Sequence, residues 1–185
     1  MTNYHSIYTE IDKIIEQVNQ GTFSFSKFDG DFFSWKRIEL PSDFEYLIAS
    51  VSNLLTEDNQ IIRLDLADII SVCQLDLNTK TCKNGHLELL EVSCDKHNIS
   101  IFENVLKQIP NYRYALLYVT GDINLREFTD MRELIENHAM FDANILFGVK
   151  IQKRMVNRYK IQVVCYIPDS LPKNYGNQDD NVHMN

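Results

Sequence analysis

Residues 114–138, YALLYVTGDINLREFTDMRELIENH, decide the fold class. The run opens with six apolar or aromatic residues in a row, as expected of a strand covered on both faces. Gly121 ends it, and Asn124 stands where a helix N-cap belongs. Leu125, Phe128, Met131, Leu134 and Ile135 then recur at helical spacing. A buried strand followed directly by an amphipathic helix is the building unit of an α/β domain. A strand-to-helix junction can also hold an anion, but Asp122 already places negative charge there, so a capped structural turn is the preferred reading.

The same alternation extends outward. HLELLEVSC (86–94) reads as a strand, and NISIFENVLKQI (98–109) as a helix ended by Pro110. ANILFGVKI (143–151) and YKIQVVCYI (159–167) make a final strand pair joined by the basic turn QKRMVNR (152–158). Upstream, PSDFEYLIASVSNLLTEDN (41–59) carries Ser42 and Glu45 as a capping box, with Phe44, Leu47, Ile48, Val51, Leu54 and Leu55 on one face. Tyr4, Ile7, Ile11, Ile14, Ile15 and Val18 predict a first helix over 4–19. GTFSFSKF (21–28) and DFFSWKRIEL (31–40) alternate as two strands of a hairpin with Gly30 in its turn. The expected class is α/β (α+β), a single mixed four-stranded sheet flanked by helices, with an N-terminal helix and hairpin extension. Residues 1–41 form that extension, 42–168 the main domain, and 169–185 a polar tail with little to bury, read as disordered.

At 185 residues the chain is long enough for one domain with a sizeable core, and 44% hydrophobic content argues against disorder. The net charge of −8 argues against a nucleic-acid partner, because phosphate contacts need clustered Lys and Arg. No apolar run reaches the roughly 20 residues of a membrane helix, and the N-terminus, with Glu10 and Asp12, does not read as a signal peptide. Cys73, Cys82, Cys94 and Cys165 lie in no tight motif and read as free thiols in a reducing cytoplasm.

Little in the chain points to catalysis of its own. Six glycines occur, and no two share a phosphate-cradling loop, so a built-in nucleotide cofactor is not expected. Cys82, His86, Cys94 and His97 hold two thiols and two imidazoles, but their spacing matches no zinc pattern, so no metal is expected. No cysteine is marked as an activated nucleophile, and small buried hydrophobes are the simpler reading. IIRLDLADIISV (61–72) is different, because Asp65 and Asp68 stand three apart at the start of a helical pattern. As N-cap and N3 residues they would stabilise the helix by roughly 1 kcal/mol or more. They are also suited to holding a water, a cation or a positively charged partner.

Three stretches carry a family resemblance, in order along the chain. RLDLADI (63–69) is similar to the N-x-D-F-A-D-V loop that follows the central helix of FtsZ, the bacterial tubulin homologue. Residues 114–138 resemble that family's apolar strand, T-x-G turn and helix, and DANILFGVKI with YKIQVVCYI resembles its closing hairpin. The resemblance spans about Ser42 to Ile167 and implies the C-terminal domain of the FtsZ/tubulin family, standing without the GTP-binding domain. The first 41 residues are too few to form that domain, and the polar tail shows no counterpart of the family's C-terminal partner-binding peptide. In the family, subunits stack head to tail and the aspartate loop reaches the nucleotide on a neighbour, where it helps position the hydrolytic water. By position Asp65 and Asp68 match the two loop aspartates, while Arg63 stands where the family has asparagine. An arginine there can pair with a phosphate or carboxylate of a neighbour.

The resemblance therefore implies a non-enzymatic, cytoskeletal or cell-division interaction module. Its partner-binding residues would be Arg63, Asp65 and Asp68, and its partner a tubulin-like GTPase or a second copy of itself. Two other readings stand beside it. One is a structural scaffold or homo-oligomeric protein in which the aspartates only cap a helix. The other is a small enzyme that uses the acidic pair with a divalent cation, which requires a pocket holding both and a third ligand.

Overall fold

The computed structural model describes residues 4–20, 32–56, 60–62, 64–107 and 112–170. The elements are α1 (Tyr4–Asn19), β1 (Phe32–Ile38), α2 (Phe44–Thr56), β2 (Gln60–Ile62), α3 (Leu66–Val72), β3 (Leu75–Asp76), β4 (Thr81–Cys82) and β5 (Gly85–Asp95). A single 3-10 turn (Lys96–Asn98) leads into α4 (Ser100–Leu106), then β6 (Tyr112–Gly121), α5 (Leu125–His138), β7 (Ala139–Ile151) and β8 (Arg158–Pro168). The class is the expected mixed α/β, but among the described residues the sheet has six strands rather than four, in the order β1-β5-β8-β6-β7-β2. The expected four form its centre. β1 adds to one edge by pairing antiparallel with β5, from Phe32↔Ser93 to Ile38↔Leu87, and the short β2 adds to the other beside β7. The other half of the expected hairpin, residues 21–28, lies outside the described residues, as do Pro110 and the tail from 171.

β6 and β7 run parallel, joined by the α5 crossover, while β8 pairs antiparallel with both β5 and β6. The two faces carry separate cores, as alternation along each strand demands. On one face Ile7, Ile11 and Ile14 of α1, Phe44, Leu47 and Ile48 of α2 and Ile69 and Val72 of α3 pack over Leu87, Leu89, Leu116 and Val164. On the other, Phe102 and Leu106 of α4 and Met131 and Ile135 of α5 pack over Leu90, Leu117, Ile161 and Val163. This double cover explains why β6 and β8 read as near-continuous apolar runs.

Local signals were realised unevenly. Asn124 caps α5 as expected: its side chain accepts from Glu127 N–H at 3.0 Å, and Glu127 accepts from Asn124 N–H at 2.8 Å. At α2 the expected Ser42–Glu45 box gives way to a different arrangement. The Ser42 hydroxyl donates to the Glu39 carbonyl at 2.6 Å, and Asp43 accepts from Glu39 N–H at 2.9 Å and from Lys36 Nζ at 3.0 Å. The helix starts two residues after Ser42, which therefore belongs to the turn.

Candidate interaction site

α3 is seven residues long, too short to hold itself together by backbone hydrogen bonds alone. Ile69 and Val72 anchor its inner face, and both are almost fully buried. At its start Asp65 is extended (φ −113, ψ 174). Asp65 Oδ1 accepts from Asp68 N–H and Asp68 Oδ2 accepts from Asp65 N–H, each at 2.9 Å, so the two carboxylates close a capping box. Each spends one oxygen in the box. Asp65 is exposed and Asp68 partly so.

The residue before the box fixes it to the sheet. Leu64 is 6% exposed and seats on β7 where Gly148 has no side chain. A Cβ at Gly148 would stand 2.9 Å from Leu64 Cδ1 and 2.8 Å from Tyr118 Cδ2, so a larger residue there would lift the loop. Beyond α3, Gln74 adopts a left-handed φ of 50° and turns the chain into the β3–β4 hairpin. Lys80 of that hairpin pairs with Glu10 of α1, tying the α3 surroundings to the N-terminal helix. Arg63 lies outside the described residues.

A cap that acts only locally gives a definite expectation for stability. Asp65→Ala should cost about 1 kcal/mol, whereas Asp65→Ser, which keeps an N-cap oxygen, should cost a few tenths at most. Urea unfolding of the two variants checks this, and equal losses would contradict it.

Neither of two cavities in the molecule encloses these carboxylates. One of about 460 Å³ opens beside the first turns of α5, lined by Lys96, His97, Glu127, Asp130, Asn157 and Tyr159 among others. Burial alone would raise the Glu127 carboxyl, but the Asn124 N–H and the Lys96 ammonium together hold it below its ordinary value. Burial and the neighbouring Glu127 push the Tyr159 hydroxyl up. The second cavity, about 330 Å³, lies beside α3 and is lined by Tyr8, Ile70, Leu75, Leu77 and Lys83 among others.

Among the described residues no group of three His, Cys, Asp or Glu side chains comes together as a metal site. His86 and Cys94 stand near opposite ends of β5. All four cysteines are free thiols. Burial raises the Cys73 thiol, and burial with the nearby charge of Asp169 pushes Cys82 up to about 11, so neither is an activated nucleophile.

Two buried carboxylates in β5 escaped the sequence reading. Glu91 accepts from Gln162 Nε2 at 2.8 Å and from the Tyr46 hydroxyl at 3.4 Å, while Gln162 also donates to the Ser50 carbonyl. Glu88 accepts from Trp35 Nε1 at 2.9 Å and lies 3.5 Å from His86 Nε2. The available signal was the alternation Leu87–Leu89–Glu91, in which a carboxylate falls on a core-facing position. Both carboxylates are matched by donors and serve to pin α2 and β1 to the sheet.

No family model matches this chain, and no curated protein does. Solved structures similar to it include an empty FtsZ dimer from M. jannaschii, 20% identical, covering 66% of this chain and 37% of that one, with a TM-score of 0.47. A mutant FtsZ from the same organism is also 20% identical, over 70% of this chain and 42% of that one, with a TM-score of 0.45. The chain thus matches about two-fifths of the length of these proteins. Such a similarity concerns chain arrangement and assigns no activity.

Proposed function

We propose that this chain is a non-catalytic interaction module that docks the Arg63–Asp68 loop onto a tubulin-like GTPase and so caps or regulates its filament. One observation carries the reading: the exposed carboxylate of Asp65 stands on a loop fixed from below by the buried Leu64 and Ile69. An acidic surface that lines neither of the two cavities described suits recognition of a partner better than chemistry on a small substrate. The capping box leaves the second oxygen of each carboxylate to accept from a partner. The resemblance of residues 63–69 to the FtsZ aspartate loop supplies the class of partner.

The same capping box favours the competing scaffold reading, in which the aspartates only hold α3. Immobilised protein challenged with purified tubulin-like GTPase from its host, with and without GTP, separates the two. Docking predicts retention of the GTPase that depends on nucleotide. Equal passage through coated and uncoated resin in both conditions would overturn it.

A further inference from the structure

The cavity beside α5 gathers polar side chains that the fold leaves unmatched. It holds about 460 Å³, and three separate segments build its wall: the 3-10 turn, α5 and the β7–β8 turn. That volume falls in the roughly 300–1,000 Å³ range of small-molecule sites. Its floor is apolar. Met131 is 2% and Tyr159 3% exposed, with Ile99 and Leu134 partly buried beside them.

The polar groups of the wall divide in two. Lys96 Nζ pairs with Glu127 at 3.0 Å and donates to the Asp122 carbonyl, while Glu127 also accepts from the Asn124 N–H and the Tyr159 hydroxyl. These groups satisfy one another. The side chains of His97, Asp130 and Asn157 instead make no hydrogen bond or ion pair among the described residues. Arg126, one turn before Asp130, does not pair with it. Asn157 is fixed through its backbone: its carbonyl accepts from Lys96 N–H at 2.9 Å, and its φ of 57° is left-handed. With Lys96 matched by Glu127 and the imidazole neutral, Asp130 leaves the wall with a net negative charge.

We propose that this cavity binds a small primary amine with an apolar body, its ammonium meeting the Asp130 carboxylate, Asn157 Oδ1 and a ring nitrogen of His97. An ammonium carries three donors and no acceptor, which three acceptors on one wall match. Hydrogen bonds between ionised groups are the stronger kind, so Asp130 dominates recognition. The hydrocarbon part of the ligand covers Ile99, Met131 and Leu134. An anionic ligand would meet Asp130 with no free ammonium to offset it, because Lys96 is already engaged. The cavity shares no lining residue with the Asp65–Asp68 loop, so its occupancy is testable without a protein partner.

Calorimetric titration of the full chain with phenethylamine, phenethyl alcohol and phenylpropionate tests the site at about pH 8, where an ordinary imidazole is neutral. Phenethylamine should bind one-to-one with a millimolar or tighter Kd. The alcohol should bind at least about tenfold more weakly, and the carboxylate not at all. Asp130→Asn should weaken amine binding at least about tenfold, and Asn157→Gly, which suits the left-handed φ, about two- to tenfold. Glu133→Gln removes the same charge from an exposed part of α5 outside the cavity and should leave binding unchanged. All three side chains are exposed, and a cooperative thermal transition confirms that each variant is folded. Absence of saturable amine binding, equal binding of amine and alcohol, or tighter binding of the carboxylate would overturn the proposal. So would an unchanged affinity in Asp130→Asn, or equal losses in Asp130→Asn and Glu133→Gln.

Discussion

Ile69→Ala is expected to destabilise the protein by about 2–5 kcal/mol. The side chain is wholly buried between α3 and the sheet, in the core that also holds Leu64, Val72 and Leu116. Truncation removes its transfer free energy and leaves a cavity that a seven-residue helix cannot easily close. In urea the midpoint should fall with little change in slope, because the surface exposed on unfolding is nearly unchanged. The effect should also be local: α3 should open before the rest, since its own backbone bonds cannot sustain it. Hydrogen exchange at α3 amides should therefore accelerate more than exchange in β6. A loss below about 1 kcal/mol would mean that α3 is not seated as described.

Gly85→Ala is the second large effect, expected at about 1–3 kcal/mol. A Cβ at Gly85 would lie 2.4 Å from the Ile167 carbonyl oxygen and 2.7 Å from Tyr166 Cε2. Neither neighbour yields readily. The carbonyl belongs to β8, paired with β5 over its full length, and the Tyr166 hydroxyl donates to the Lys83 carbonyl at 2.7 Å and lies 3.1 Å from that of Asn84. Gly148→Ala makes a useful contrast, because there the clash is with side-chain atoms of Leu64 and Tyr118 instead of backbone. Thermal unfolding should place Gly85→Ala below Gly148→Ala. The reverse order would contradict the β5–β8 register at this end.

What the chain disclosed in advance was mostly local. The apolar run of β6, the Asn124 cap and the Asp65–Asp68 box each depend on neighbours within a few residues, and each is present. The alternation in DFFSWKRIEL marked a strand but could not say that it would pair with β5, from Phe32↔Ser93 to Ile38↔Leu87, far along the chain. β2 has three residues, too few for a periodic signal, and its place at the far edge depends on β7. The buried Glu88 and Glu91 are tolerated only because donors arrive from Trp35, Tyr46 and Gln162, none of which is local. The same holds at the candidate site: the box was legible, while the Leu64–Gly148 contact that holds it required the assembled sheet. Ser42 shows the opposite case, a good local motif displaced when the turn before α2 used its hydroxyl elsewhere.

The central claim is that the Asp65–Asp68 loop binds a partner as well as capping α3, and one pair of substitutions separates these roles. Asp65→Ser combined with Asp68→Gln keeps both capping bonds possible and removes both charges. Sedimentation of a purified tubulin-like GTPase from the same host, assembled with GTP, should change when the wild-type chain is added. The double variant should need at least about tenfold more protein for the same change, as expected from losing charge-assisted contacts. Equal potency of the two proteins, at equal thermal stability, would contradict the account and leave the aspartates as caps alone.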